Sequence, residues 1–485
     1  MKQIKDLTKG WGSKLNRVAQ ATLSFVSSKK FAYIIIAWFI LQASFMAFTT
    51  RGGIAPDEGA HMRTIAVYAE NGASPFIKNQ PEGTYQLGAL TRSTSYMYHY
   101  IMSFQYRLLP DSWSPQAQLV TLRLSNIIFT TAGLIVLLQT LRRLTKNGIV
   151  QNMTLFMMSN TLMFVFLAAS VNYDNLLFLA ANISLYYFVK LWSSFSLRDT
   201  LKFSSSLIFA SLVKYTFLPL GGTLLLLLIF KHRSGIKDTL QSSKTEIKRH
   251  RKPVYILGVI FVILFGLFIE RYVVNYVKYG NYKPQCDKVL SYEKCMSSAL
   301  FRRNSAFRSN PVNDRTPDLG FVIKWSARMK EGIFGILGHR FVDETPFVKY
   351  GSALIFIWML VALTRTVNKQ DKLVFYLIAI ITVYTATILI HNYSLFQKSG
   401  VFGLALQGRY IFPVMALIYF VGNYFIDKML RKNQIAYFIN VVVILLFFFI
   451  SSLPTYIYSI DSSWRMPAMN SVNERIQETM RIFVP

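Results

Sequence analysis

Charge is scarce in this sequence, and acid scarcer still: 16% of its 485 residues are charged, with 23 Asp and Glu against 53 Lys and Arg. There are only 2 cysteines, Cys286 and Cys295, and no His stands near them, which argues against a zinc site. No Walker motif, no Gly-rich nucleotide fingerprint and no Gly-x-Ser-x-Gly elbow occurs, so nucleotide-driven and serine-hydrolase chemistries find none of their parts. No convincing internal repeat is present either, which disfavours a transporter built from repeated halves. What is abundant is apolar mass, 53% hydrophobic and 15% aromatic, gathered in blocks rather than at core-like spacing. That pattern reads as an all-α integral membrane protein with many spans.

Runs long enough to cross a bilayer, about 20 residues each, lie near 31–50, 117–140, 149–170, 174–192, 254–275, 349–366, 373–391, 410–426 and 435–455. The first is too long for a signal peptide and has no small-residue cleavage site after it, so it is expected to remain as a helix. Basic residues cluster between the runs: Lys2, Lys5, Lys9, Lys14, Arg17, Lys29 and Lys30 in a tail spanning 1–30, then "LRRLTKN", "KHRSGIKDTLQSSKTEIKRHRKP", "TRTVNKQDK" and "DKMLRKNQ". This placement follows the positive-inside rule and reads as a topology signal and an anchor to anionic lipid, not as a nucleic-acid surface.

With those segments inside, "FSSSLIFASLVKYTFLPLGGTLLLLLIF" (203–230) must cross an even number of times, yet it is too short for two full spans. A broken hairpin of two short helices is predicted, with Lys214, Tyr215 and Pro219 at its apex. The count becomes about 11 transmembrane segments within 31–455, with the N-terminus cytoplasmic and the C-terminus extracytoplasmic. Parity then places 51–116, "SVNYDN", 276–348, 391–410 and the tail 456–485 outside. An oxidising outer face permits a Cys286–Cys295 disulfide closing a short loop; two free thiols are the alternative. The tail has amphipathic spacing and is expected to lie along the outer leaflet.

Just beyond the first run, "GGIAPDEGAHMRTI" gathers Asp57, Glu58 and His61. Pro56 should fix the chain, and "DEGAHMRTIAVYAENG" predicts a helix whose apolar side carries Ile65, Ala66, Tyr68 and Ala69. Asp57 can cap that helix or act as a general base on a hydroxyl; Glu58 and His61 can join it or orient the loop.

Pro-Asp-Glu followed shortly by Ala-His after the first membrane helix, "SVNYDNLLFLAANISLYYFV", "ASLVKYTFLPL", "FGILGHRFVDETPF" and "LQGRYIFPVMAL" together resemble the DUF2142 family of bacterial membrane proteins. That family is related to the GT-C glycosyltransferases, which use sugars carried on polyprenyl phosphate. The resemblance implies a GT-C-like bundle whose extracytoplasmic loops carry the active site, in the bacterial cytoplasmic (inner) membrane. It implies an inverting transfer of a hexose or pentose to an extracytoplasmic glycan, lipid-linked oligosaccharide or cell-wall polymer. Asp57 matches the acidic base, with Glu58 as alternate and His61 beside them. Arg409 and Tyr410 match the Gly-Arg-Tyr element, and the Arg409 fork suits the donor phosphate. Lys214 either adds a second positive charge or snorkels to the interface; Asp174 either caps its helix or faces the acceptor. His339 and Arg340 fall in "GHRFVDE", where apolar residues are expected. Asp57 and Glu58 are hard oxygen ligands able to take a divalent metal ion, but two carboxylates do not make a site. The rival readings are a flippase or transporter of lipid-linked sugars and an O-antigen polymerase or ligase.

Overall fold

The computed structural model describes residues 2–72, 74–233, 245–309, 319–337, 341–342, 344–368, 371–467, 471, 474–476 and 478. His339, Arg340 and most of the tail after 467 lie outside the described residues. The order begins α1 (Lys2–Ser27), α2 (Lys29–Thr49), α3 (Glu58–Glu70), α4 (Met97–Arg107) and α5 (Pro115–Leu144). It continues with α6 (Gly148–Ser159), α7 (Leu162–Ala168), α8 (Tyr173–Ser193), α9 (Leu197–Val213) and α10 (Leu218–His232). α11 (Arg251–Phe268) runs through a π-helical turn, Ile269–Val273, into α12 (Val274–Tyr279). Three short helices follow, α13 (Cys286–Val289), α14 (Tyr292–Met296) and α15 (Ala299–Ser309). The last are α16 (Leu319–Phe334), α17 (Pro346–Thr366), α18 (Lys372–Ser399), α19 (Phe412–Leu430), α20 (Gln434–Ile450) and α21 (Leu453–Ser459). One departure from an all-α chain is a two-residue antiparallel pair, β1 (Ile336–Leu337) with β2 (Phe341–Val342).

Among the described residues, 9 helical stretches are long and apolar enough to cross a membrane, or 10 with the bent pair α6–α7. The run near 149–170 is thus not straight: α6 and α7 meet at 66° across Asn160 and Thr161. Neighbours meet the polar groups at the bend. Trp38 Nε1 donates to Asn160 Oδ1 at 3.0 Å, Gln42 Nε2 donates to the Ser159 carbonyl at 2.6 Å, and Thr161 and Tyr419 share a hydroxyl contact at 2.9 Å. Such a break survives at membrane depth because protein replaces the missing helix partners. The stretch 203–230 divides at Lys214 as expected, but its halves are longer than a short hairpin. α9 starts at Leu197, and Tyr215–His232 is a span in its own right. Both pack on α8, α9 turning its other side to α11 and α10 to α18.

Close helix approach follows from small residues. A Cβ on Gly133 of α5 would sit 2.6 Å from the Phe178 ring of α8, so only glycine admits this crossing. The Ser184 hydroxyl of α8 then donates to Ser206 of α9 at 2.9 Å. The segments expected inside pair with one another: Asn147 donates to Asp427, Lys428 meets Asp371, and Glu246 accepts from the Leu197 N–H. The segments expected outside gather around one cavity at the opposite end. There Cys286 and Cys295 are disulfide-bonded, and the chain after α21 pairs back onto the end of α2 through Thr50 and Arg465.

Glu58 departs from expectation. It is turned into the bundle, 1% exposed, against Arg123 of α5, which is 0% exposed. Arg123 Nε donates to Oε1 at 2.9 Å and Nη2 to Oε2 at 2.7 Å. Arg123 Nη1 also reaches the carbonyls of Ala47 and Thr50 at 2.9 and 2.6 Å. Glu58 in turn accepts from the Val171 N–H at 3.0 Å and the Gly53 N–H at 3.3 Å. Both oxygens are therefore engaged by donors inside the bundle, where Glu58 is withdrawn from solvent.

Removing one partner of a buried ion pair strands the other charge, so Arg123→Met should destabilise the protein by about 3–5 kcal/mol. Adding Glu58→Leu removes the stranded carboxylate and should recover part of that loss. Unfolding of the purified protein in detergent checks both; a double variant no more stable than Arg123→Met would assign the loss to the helix-end hydrogen bonds instead.

Candidate active site

Asp57 occupies the residue before α3, where a side chain would ordinarily cap the helix. It does not cap. Its backbone is left-handed, φ 59°, and its side chain makes no hydrogen bond to the first turn. A left-handed non-glycine residue costs on the order of 1 kcal/mol, and Pro56 and the buried Glu58 on either side hold it there. The carboxylate turns to Arg409, whose Nη2 donates to Oδ2 at 2.7 Å, and half of its surface stays exposed.

Arg409 is 2% exposed and lies on the turn Gly408–Ile411 that leads into α19. Gly408 is required there, since a Cβ would fall 2.3 Å from the backbone of Gly332. Arg409 Nε donates to Gln407 at 2.5 Å, and Nη1 lies 3.6 Å from Asp174 Oδ2. Asp174 is not the cap of α8; Asn172 is, accepting from the Asp174 N–H. Asp174 Oδ1 instead takes a 2.6 Å bond from Lys214 Nζ. Lys214 does not snorkel: it is 3% exposed, between the rings of Tyr173 at 4.4 Å and Tyr410 at 4.7 Å. The four side chains form an alternating series, Asp57, Arg409, Asp174, Lys214, with no net charge.

Above this series opens a cavity of about 1110 Å³. Asp57, His61, Tyr173 and Tyr215 are on its wall, whereas Arg409, Tyr410, Asp174 and Lys214 lie behind it. Asp57 is the one carboxylate on that wall among the described residues, against Arg63, Arg92, Lys283 and Lys398. Arg92 is paired with Glu270 at 2.7 Å, and Lys283 Nζ rests 4.1 Å over the Tyr215 ring. The lid above is formed by Cys286 of the disulfide-closed segment and by Phe301, Asn304 and Phe307 of α15. Glu58 is committed to Arg123, which leaves Asp57 alone of the two adjacent carboxylates on the wall, and no group of three or more metal-binding side chains occurs among the described residues.

The wall cations Arg63, Lys283 and Lys398 escaped the sequence reading, as did two ring residues beside His61. His99 of α4 is buried beside His61, with its Nε2 2.9 Å from His61 Nδ1. Tyr173 packs edge-on to His61 at 4.5 Å. The aromatic run "SYMYHY" is the sole signal for His99, and its spacing is not that of an amphipathic helix.

Burial lowers the His61 pKa to about 3 despite the opposing pull of Asp57, and burial holds His99 well below its ordinary range. In the unfolded chain both rings take a proton near pH 6.5. The native state therefore binds fewer protons below that pH, so stability is unchanged above it and falls progressively toward pH 3. Thermal unfolding in detergent from about pH 7.5 to 4.5 should show this decline, and His61→Asn should flatten it.

No family model matches the chain, so the DUF2142 resemblance rests on its motifs alone. No curated protein matches it significantly. Among solved structures, apo ArnT from Cupriavidus metallidurans is similar at 14% identity and TM-score 0.45, covering 83% of this chain and 61% of its own. The apo oligosaccharyltransferase from Archaeoglobus fulgidus is similar at 10% identity and TM-score 0.45, covering 93% of this chain and 60% of its own. The chain thus spans about three-fifths of the length of each.

Proposed function

We propose that this protein is a GT-C-type membrane glycosyltransferase, moving a hexosyl or pentosyl group from a polyprenyl-phosphate donor to a hydroxyl of an extracytoplasmic glycan, lipid-linked oligosaccharide or wall polymer. The observation that carries the reading is Asp57: one oriented, half-exposed carboxylate in a large cavity whose other charged wall residues are basic. Arg409 fixes one carboxylate oxygen, which aims the group at an incoming hydroxyl. The acceptor oxygen attacks the anomeric carbon as the carbon–oxygen bond to phosphate breaks, inverting that centre. Its proton passes to Asp57, and polyprenyl phosphate departs with the bonding pair.

The developing phosphate charge needs cations aimed into the cavity. Arg409 and Lys214 were the expected pair, but they are neutralised by Asp57 and Asp174 and lie behind the wall. Arg63, Lys283 and Lys398 have no carboxylate partner among the described residues and line the cavity, so they take the phosphate in this reading. Arg409 and Lys214 hold the base and the wall tyrosines. The basic loops cluster at the end opposite the cavity, and the lid carries a disulfide; both favour a cavity on the extracytoplasmic side of a bacterial cytoplasmic membrane.

A carrier of lipid-linked sugars is favoured by the second broken helix, α6–α7. That break is fully buried and filled by Trp38, Gln42 and Tyr419, so it presents no ligand site.

In proteoliposomes supplied with a panel of polyprenyl-phosphate sugars and glycolipid acceptors, Asp57→Asn should cut transfer by about 10²–10⁴-fold while donor binding persists. Donor binding or scrambling without transfer, indifferent to Asp57→Asn, would replace the enzyme with the carrier. Lys283→Gln with Lys398→Gln should raise the donor KM and reduce its salt dependence, with kcat changed less.

A further inference from the structure

We infer that His61 and His99 form a subsite for a sugar hydroxyl, in which the hydroxyl donates to His61 Nε2. The inference takes the ligand to be a sugar from the proposed function; the hydrogen-bond logic comes from the rings themselves. His61 on α3 and His99 on α4 are 5% and 7% exposed, and both stand on the cavity wall. The 2.9 Å separation of His61 Nδ1 and His99 Nε2 has room for a single proton, so one ring donates and the other accepts.

The direction follows from the next contact along the chain. His99 hydrogen-bonds the backbone of Ser95, four residues earlier, in a contact that favours the protonated ring, so His99 donates to that carbonyl. A neutral imidazole has one N–H. With it spent on Ser95, His99 Nε2 can only accept, and the N–H of His61 must be on Nδ1. His61 Nε2 is then a bare lone pair. It is buried and has no hydrogen-bond partner among the described residues.

An unfilled buried acceptor lowers stability unless something supplies a donor. The His61 backbone N–H donates to the Asp57 carbonyl at 2.9 Å, one helical turn away, and the Asp57 charge acts on the His61 ring, so the subsite shares its stretch of cavity wall with the exposed carboxylate. A neutral hydroxyl satisfies Nε2 without placing charge between two buried rings; a ligand presenting only an acceptor at this position is rejected. Since His99 selects the tautomer and does not itself meet the hydroxyl, it is a positioning residue.

The test is equilibrium binding to the purified full chain in detergent, using a polyprenyl-phosphate hexose and its series of monodeoxy analogues. His61→Asn keeps an N–H for His99 and loses the lone pair; His61→Gln places an amide oxygen near the Nε2 position. Unfolding temperatures of both variants control for folding. The expected result is about tenfold weaker hexose binding by His61→Asn, partial rescue by His61→Gln, and one deoxy analogue that binds wild type about tenfold more weakly but His61→Asn no more weakly than the hexose itself. Wild-type affinity in His61→Asn, or the same deoxy penalty in His61→Asn as in wild type, overturns the inference alone. Should both variants fail to fold, the wild-type series decides: no single deoxygenation that weakens binding overturns it. Wild type that binds none of the polyprenyl-phosphate sugars overturns the proposed function, and the inference falls with it.

Discussion

The buried ion pair between Arg123 and Glu58 fixes the entrance to everything else. Two charges removed from water are tolerable only where hydrogen bonds satisfy them fully, and here those bonds are helix ends. Arg123 collects the Ala47 and Thr50 carbonyls, which the last turn of α2 leaves without intrahelical partners. Glu58 collects the Val171 N–H just before α8 and the Gly53 N–H of the loop. One pair therefore joins α2, α3, α5 and the α7–α8 turn. With Glu58 pinned inward, the preceding residue has its backbone set, and Asp57 is held left-handed with its carboxylate directed outward.

Charge in the deeper layer is balanced by alternation. Asp57 and Asp174 neutralise Arg409 and Lys214, so Arg409, Asp174 and Lys214 can be buried with little net field behind the half-exposed Asp57. That balance has a consequence for binding. Cations already paired offer little to an anion, whereas Arg63, Lys283 and Lys398 place positive charge on the cavity wall itself. The layer behind the wall holds the Asp57 carboxylate in place, and the wall carries the cations without carboxylate partners.

The apolar runs were legible because bilayer thickness sets their length, and the meeting of segments at two opposite ends follows from counting them. Asp57 was legible too, since an ionisable cluster beside a membrane helix needs a reason. Its partner was not: Asp57 and Arg409 are 352 residues apart, and no local pattern encodes that distance. Glu58 is adjacent to Asp57 in sequence, yet Asp57 is left-handed and Glu58 is the first helical residue, so one faces a cavity while the other enters the core. Arg123 was the available clue. A lone arginine within the run 117–140 is costly in lipid and calls for an acidic partner. The bend at Asn160 and Thr161 was hidden because a polar pair inside an apolar run does not reveal whether neighbouring helices will satisfy it.

The interruptions of the helices sort by charge. Lys214 occupies the gap between α9 and α10, Arg271 the π-helical turn before α12, and Arg409 the turn before α19. Each is at most 3% exposed and borders the cavity's framework: Lys214 beside the wall residue Tyr173, Arg271 under the wall loop at the Thr91 carbonyl, and Arg409 behind Asp57. An unbroken helix would hold these cations on a regular face with every backbone group engaged. Breaking it frees local carbonyls and lets the side chain leave that face. The α6–α7 break has no charged residue at its bend and is filled by neutral neighbours. Helix interruption alone therefore does not mark the site; interruption that buries a cation does, and it recurs at three places around one cavity.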